Sequence, residues 1–94
     1  MAGSRIRRAR SRKRTRRLMP PLRPAHYSTV VAVFEKDGFK FVRQRGDHLI
    51  YTKPGVIRPL VIPAYSEVPI FIIKNLLRTA EMSRERFFEL LGSL

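Results

Sequence analysis

The chain has 94 residues, 44% of them hydrophobic, which allows one compact domain with a small core and is too short for two. Its 20 basic and seven acidic side chains give a formal charge of +13, pointing to a polyanionic partner, nucleic acid ahead of an anionic membrane surface. Lack of cysteine excludes a disulfide framework or thiolate metal site, and no run approaches the roughly 18–20 apolar residues of a membrane span, so a soluble cytoplasmic protein without metal or cofactor is expected.

Residues 1–18 hold nine of the basic residues and no acid; from Met19 onward 11 basic and seven acidic residues leave only +4. The stretch SRIRRARSRKRTRR offers one isoleucine among mutually repelling arginines, too little apolar surface to offset the entropy of ordering, and is expected to be disordered alone. Three readings compete for it. It is an RNA-binding arm acting through counterion release, a start-site artefact ahead of a natural beginning at Met19-Pro-Pro-Leu-Arg-Pro, or a localisation signal. Pro20, Pro21 and Pro24 make residues 19–25 a stiff, extended lead-in. The expected division is therefore an extension over 1–25 and a folded domain over 26–94.

Ser28 is a good N-cap, Val30, Val33 and Phe34 recur at helical spacing, and Gly38 sits where a helix stops, so a first helix is predicted over 28–37. FKFVRQ (39–44) alternates as a strand, Arg45-Gly46-Asp47 supplies a turn, and HLIYTK (48–53) returns as a second strand. Pro54-Gly55 is a turn, and residues 58–62 form a third strand that Pro59 and Pro63 push toward a sheet edge. Pro69 fits the first position of a second helix carrying Ile73, Leu76, Leu77 and Ala80 on one stripe. VPIFII also reads as a strand, but the smooth helical period through Ala80 favours the helix. Ser83 caps a short last helix, RERFFELL, ended by Gly92. The order α-β-β-β-α-α predicts an α+β sandwich with helices on one face of a three-stranded antiparallel sheet, the topology of a double-stranded-RNA-binding domain with a C-terminal addition.

The stretch Gly38 to Tyr51, GFKFVRQRGDHLIY, pairs a helix-ending glycine and an aromatic with VRQ, then a G-x-H step and a second aromatic three residues on. Leu60-Val61-Ile62-Pro63, Glu67, Leu76 to Ala80 and Ser83-Arg84-Glu85 follow in order. The ordered set, from about Tyr27 to Leu91, resembles the HicA family. That resemblance implies an RNA-cleaving toxin of a toxin-antitoxin pair, acting on single-stranded messenger RNA, neutralised by a HicB antitoxin, with the G-x-H histidine, His48, catalytic. The chemistry of the residues supports the role independently. Cutting RNA without a metal needs a proton acceptor on the 2′-hydroxyl or a donor to the departing 5′-oxygen, and a histidine serves either near neutral pH. Gly46 lets a phosphate approach the backbone, while Arg43, Arg45 and Lys53 are candidate cationic contacts to RNA. Period-2 alternation puts His48, Ile50 and Thr52 on one face and Leu49, Tyr51 and Lys53 on the other, leaving open which face meets solvent.

Plainer roles stand beside these. Arg43 and Arg45 equally suit a solvated strand face, Phe39 and Phe41 read as core in preference to base-stacking groups, and His26 reads as an exposed residue near a helix start. Ile70 and Phe71, with Ile72, exceed what one buried helix stripe uses, so Ile70 and Phe71 are candidates for an antitoxin or self-association surface. The chain also departs from the family pattern: Asp47 stands where Ser is common, Tyr65 where many members carry a second histidine, and Ile70-Phe71 where the family has Gly-Thr. Asp47 favours an imidazolium but repels phosphate, which makes general acid the easier role for His48. A non-catalytic RNA-binding module, such as a ribosome-associated protein, is the competing reading.

Overall fold

The computed structural model describes residues 21–94. The Arg-rich stretch expected to be disordered falls within residues 1–20, outside the described residues. In chain order the elements are α1 (Tyr27–Lys36), β1 (Lys40–Arg45), β2 (His48–Thr52), β3 (Leu60–Pro63), α2 (Ile70–Ala80) and α3 (Arg84–Gly92). The sheet has order β1-β2-β3 with both pairings antiparallel. Helices α1 and α2 pack on β3, and α1 also packs on α3, which gives the two-layer α+β arrangement the sequence predicts.

The first helix begins one residue before the expected start because His26, not Ser28, is its cap. The His26 Nδ1 accepts the backbone N–H of Ser28 at 3.1 Å, with the Ser28 hydroxyl 2.8 Å from the same nitrogen. The exposed histidine at the helix start thus satisfies one of the orphan donors of the first turn. At the other end, Gly38 takes φ +106°, the Gly38 N–H donates to Glu35 and the Phe39 N–H to Phe34, both at 3.0 Å. That is a Schellman ending, and its hydrophobic contact is the edge-to-face pair Phe34–Phe39, centroids 5.7 Å apart. It delivers the chain directly into β1.

Val30, Val33 and Phe34 of α1, Leu60 and Ile62 of β3, and Ile73, Leu76, Leu77 and Ala80 of α2 meet in one core with Phe39, Tyr51, Val68, Phe87 and Leu90. Burying a side chain of this size stabilises the fold by roughly 1.5–3 kcal/mol, so this cluster dominates the folding free energy. Pro69 is the N-cap of α2 in extended geometry, one position earlier than the sequence suggests; the N–H groups of Ile72 and Ile73 both donate to its carbonyl. Ser83 caps α3 as expected, its hydroxyl accepting the Arg86 N–H at 3.1 Å.

The lead-in belongs to the fold further back than residue 26. Leu22 is buried in the core, Ala25 and Val68 exchange backbone hydrogen bonds, and the Tyr27 N–H donates to Tyr65. Leu22 and Ala25, placed by the sequence in the extension, thus touch the folded part of the chain. Phe41 departs from expectation too. It shares the helix-facing side of the sheet with Tyr51, whose ring it meets edge-on, but β1 is an edge strand and the helices do not reach over it, so Phe41 is 52% exposed.

Candidate functional site

The β1–β2 hairpin carries the site. Gly46 (φ +59°) and Asp47 form its two-residue turn, with the positive φ at the first central position only, as a type II′ turn requires. An added Cβ on Gly46 would meet nothing within 4 Å, so the glycine serves the backbone conformation and leaves its surroundings open. The Gln44 side-chain amide donates to the Gly46 carbonyl at 2.9 Å and ties the turn to its own strand. His48 follows the turn as the first residue of β2, opposite Arg45 on β1 and Pro63 on β3.

Tyr51 is buried and Leu49 packs against the core, so their side faces the helices. His48, Ile50 and Thr52 face solvent. The His48 side chain is 47% exposed and, with Arg45, Ile50 and Val61, lines a depression of about 460 Å³ on this open face. Cross-strand pairing explains the grouping: Ile50 stands opposite Val61 on one side and Arg43 on the other.

Arg43 and Arg45 reach this face by an irregularity that simple alternation does not contain. Phe41 pairs with Tyr51 but Arg43 pairs with Ile50, so Val42 is an extra residue bulged out of the ladder. In an unbulged strand, Phe41, Arg43 and Arg45 would all share the helix-facing side. The bulge keeps Phe41 there and turns both arginines to the side of His48.

Asp47 projects from the turn with 63% of its side chain exposed, and its Oδ1 lies 3.2 Å from Nδ1 of His48. That contact leaves Nε2 as the ring nitrogen free for a substrate. Apart from Asp47, no acidic residue lies on the hairpin or on β3.

Three of the sequence-derived candidates lie elsewhere. Lys53 follows Thr52 on the helix-facing side, where its ammonium donates to the nearly buried carboxylate of Asp37 at 2.9 Å and sits 5.6 Å over the Phe39 ring. It is therefore not brought together with His48, Arg43, Arg45 and Gly46, because alternation along β2 sends it through the sheet. Ile70 and Phe71 also separate: Ile70 packs partly against the core, while Phe71 is 65% exposed on the first turn of α2. Tyr65 is partly exposed in the loop after β3. Sequence reasoning missed Lys40, which pairs with Thr52 and so shares the open face; a basic residue at the start of a strand gives no signal until the register is known.

Among the described residues no three histidine, cysteine or carboxylate side chains gather as metal ligands, and no helix is long and apolar enough to cross a membrane. No curated protein matches the chain. A family model described as the HicA toxin of bacterial toxin-antitoxin systems matches residues 27–82, which takes in α1, the whole sheet with His48, and α2, and leaves α3 outside. With more than half its length matched, and with the helix–hairpin–strand–helix order intact, the chain belongs to the HicA toxin family of bacterial toxin-antitoxin systems.

Proposed function

We propose that this toxin is an endoribonuclease that cuts single-stranded messenger RNA with His48 as its catalytic group, and that a HicB-type antitoxin neutralises it. The observation that carries the reading is the position of His48: half exposed at the head of β2, on an open sheet face, in one depression with Arg45. A phosphodiester seated there meets a cation and an imidazole Nε2 together. The 2′-oxygen attacks phosphorus as the bond to the 5′-oxygen breaks; His48 in its protonated form gives its Nε2 proton to that 5′-oxygen, and the 2′-hydroxyl proton passes to solvent. The products are a 2′,3′-cyclic phosphate and a free 5′-hydroxyl, with no metal required. Arg43 and Arg45 supply charge-assisted contacts to the phosphate oxygens, and Gly46 leaves the turn open to the strand. Phe71, with Ile70 beneath it, is the apolar contact we assign to the antitoxin.

The experiment is RNA cleavage by the wild-type chain and His48→Ala, each with and without EDTA, beside growth after induction of both. Wild type is expected to cut with EDTA present and to arrest growth, and a folded His48→Ala protein to do neither. Undiminished cleavage by folded His48→Ala would sink the assignment. One observation favours a second reading, an RNA binder that does not cut: the Asp47 carboxylate stands beside His48 where a phosphate must come. RNA bound tightly and recovered intact from the wild-type protein would decide for it.

A further inference from the structure

The open face of the sheet has an order along β1 that cleavage by His48 does not require. Lys40 pairs with Thr52, Arg43 with Ile50 and Arg45 with His48, so three cations stand at alternate ladder positions on the side of His48. All three are exposed. At about 3.3 Å of rise per residue their backbone positions are spaced by about 7 Å along β2, comparable with the separation of successive phosphates in an extended nucleic-acid strand. The two arginines share this face with Lys40 only because Val42 is bulged out of the pairing. Beside the cations runs an apolar floor, Ile50 and Val61. The far edge, β3, contributes Val61 and Pro63 to this face and no cation; Arg58, just before β3, lies instead in a separate depression with Arg78.

Cations along one edge and an apolar floor beside them suit one strand rather than two. A duplex would bring a second phosphate row over β3, where nothing on the open face meets it. An unpaired strand lays its phosphates along the cations and turns its bases over the floor. Building on the cleavage reading, we propose that the open face is a track for single-stranded RNA with three consecutive phosphates on Lys40, Arg43 and Arg45, and that the Val42 bulge sets its register so that the phosphate at Arg45 is the one presented to His48. The double-stranded-RNA-binding topology is thus used on its sheet face, for a different ligand.

The test uses the full chain carrying His48→Ala, so that RNA stays intact, and a fluorescent single-stranded RNA hexamer titrated over a series of salt concentrations. Single-strand binding loses about 0.7 in the slope of log K against log salt for each phosphate contact removed. Lys40→Ala, Arg43→Ala and Arg45→Ala are each expected to lower the slope by about 0.7, and the triple variant by about 2. Arg84→Ala, at the exposed start of α3, is expected to leave it unchanged. The basic N-terminal residues contribute alike to every variant and cancel in the differences. Register is read with hexamers carrying one neutral methylphosphonate: the position that abolishes the effect of Lys40→Ala should lie two phosphates from the one that abolishes the effect of Arg45→Ala. Equal slopes in the three variants, an equal loss in Arg84→Ala, or stronger binding of a duplex of the same sequence would overturn the track. Slopes that follow the track in a protein whose wild type never cuts RNA would keep it and remove the catalytic reading; cutting with flat slopes would do the reverse.

Discussion

The carboxylate of Asp47 and the imidazole of His48 face each other across 3.2 Å at the tip of the hairpin, both well exposed. The pairing fixes Nδ1 toward the turn, but it places a negative charge beside the proposed path of the phosphate. Exposed pairs of this kind contribute only about 0.2–1 kcal/mol, so the cost to RNA binding is of the same size. Asp47→Asn keeps an acceptor for Nδ1 and removes the charge. It is expected to tighten binding of a single-stranded RNA by about 2- to 5-fold at low salt, with the gain fading as salt screens the site. Titrations at two salt concentrations check this; unchanged or weaker binding would show that Asp47 does not repel the substrate.

Glu81 ends α2 in the left-handed conformation, φ 57°, the one non-glycine residue among those described with positive φ. Its N–H donates to Arg78 and that of Met82 to Leu77, so the residue does the work usually given to glycine at a helix end. A left-handed residue with a Cβ costs roughly 1–2 kcal/mol, part of which glycine returns as unfolded-chain entropy. Glu81→Gly is therefore expected to stabilise the protein by about 0.5–1 kcal/mol. Urea unfolding should show a higher midpoint at unchanged m.

Asp37 joins three elements. Its carboxylate, 11% exposed at the end of α1, accepts from Lys53 Nζ at 2.9 Å and Arg86 Nε at 3.3 Å. Asp37→Ala leaves Lys53, itself only 31% exposed, without its partner, and is expected to cost about 1–2 kcal/mol, below the full value for charged hydrogen bonds because Arg86 is solvated. Lys53→Ala should likewise lower the midpoint of urea unfolding while leaving RNA affinity within about twofold, since the ammonium lies across the sheet from His48. A large loss of RNA affinity in folded Lys53→Ala would contradict that placement.

Most of the architecture was legible in the sequence because it rests on local signals. Gly38, Gly46, Ser83 and the stripe Ile73, Leu76, Leu77, Ala80 each mark a boundary or a buried face by themselves. What alternation could not supply was the face. The two sides of β2 each carry apolar and polar residues, so only packing of Tyr51 and Leu49 under the helices decides that His48 looks outward. The bulge was hidden for a related reason: FKFVRQR alternates acceptably in either register, and the choice is made by the contact of Phe41 with Tyr51 at one end and the two-residue turn at the other. Lys40 and Lys53 consequently exchange roles, the first reaching the open face and the second leaving it. His26 was illegible because histidine is an uncommon cap, recognisable only from the 3.1 Å bond it accepts.

Tyr51 links the site strand to α1 in a pH-dependent way. Its ring is buried beneath the helices, and its hydroxyl donates to Glu35 Oε2 at 3.4 Å. Burial first, then the negative charge of Glu35 and the hydrogen bond to it, raise the hydroxyl above its ordinary pKa near 10. The folded state therefore holds this proton more tightly than the unfolded chain does. Its contribution to stability is fully present below about pH 10, the unfolded value, and is lost as pH rises through the higher folded value. Tyr51→Phe cannot ionise and lacks that loss, while the long hydrogen bond it gives up is a small term at neutral pH. Urea unfolding of both proteins from pH 8 to pH 11 should show wild type slightly more stable below pH 10 and its advantage shrinking above it. A constant difference across the range would mean that the Tyr51 hydroxyl is not held protonated by the fold.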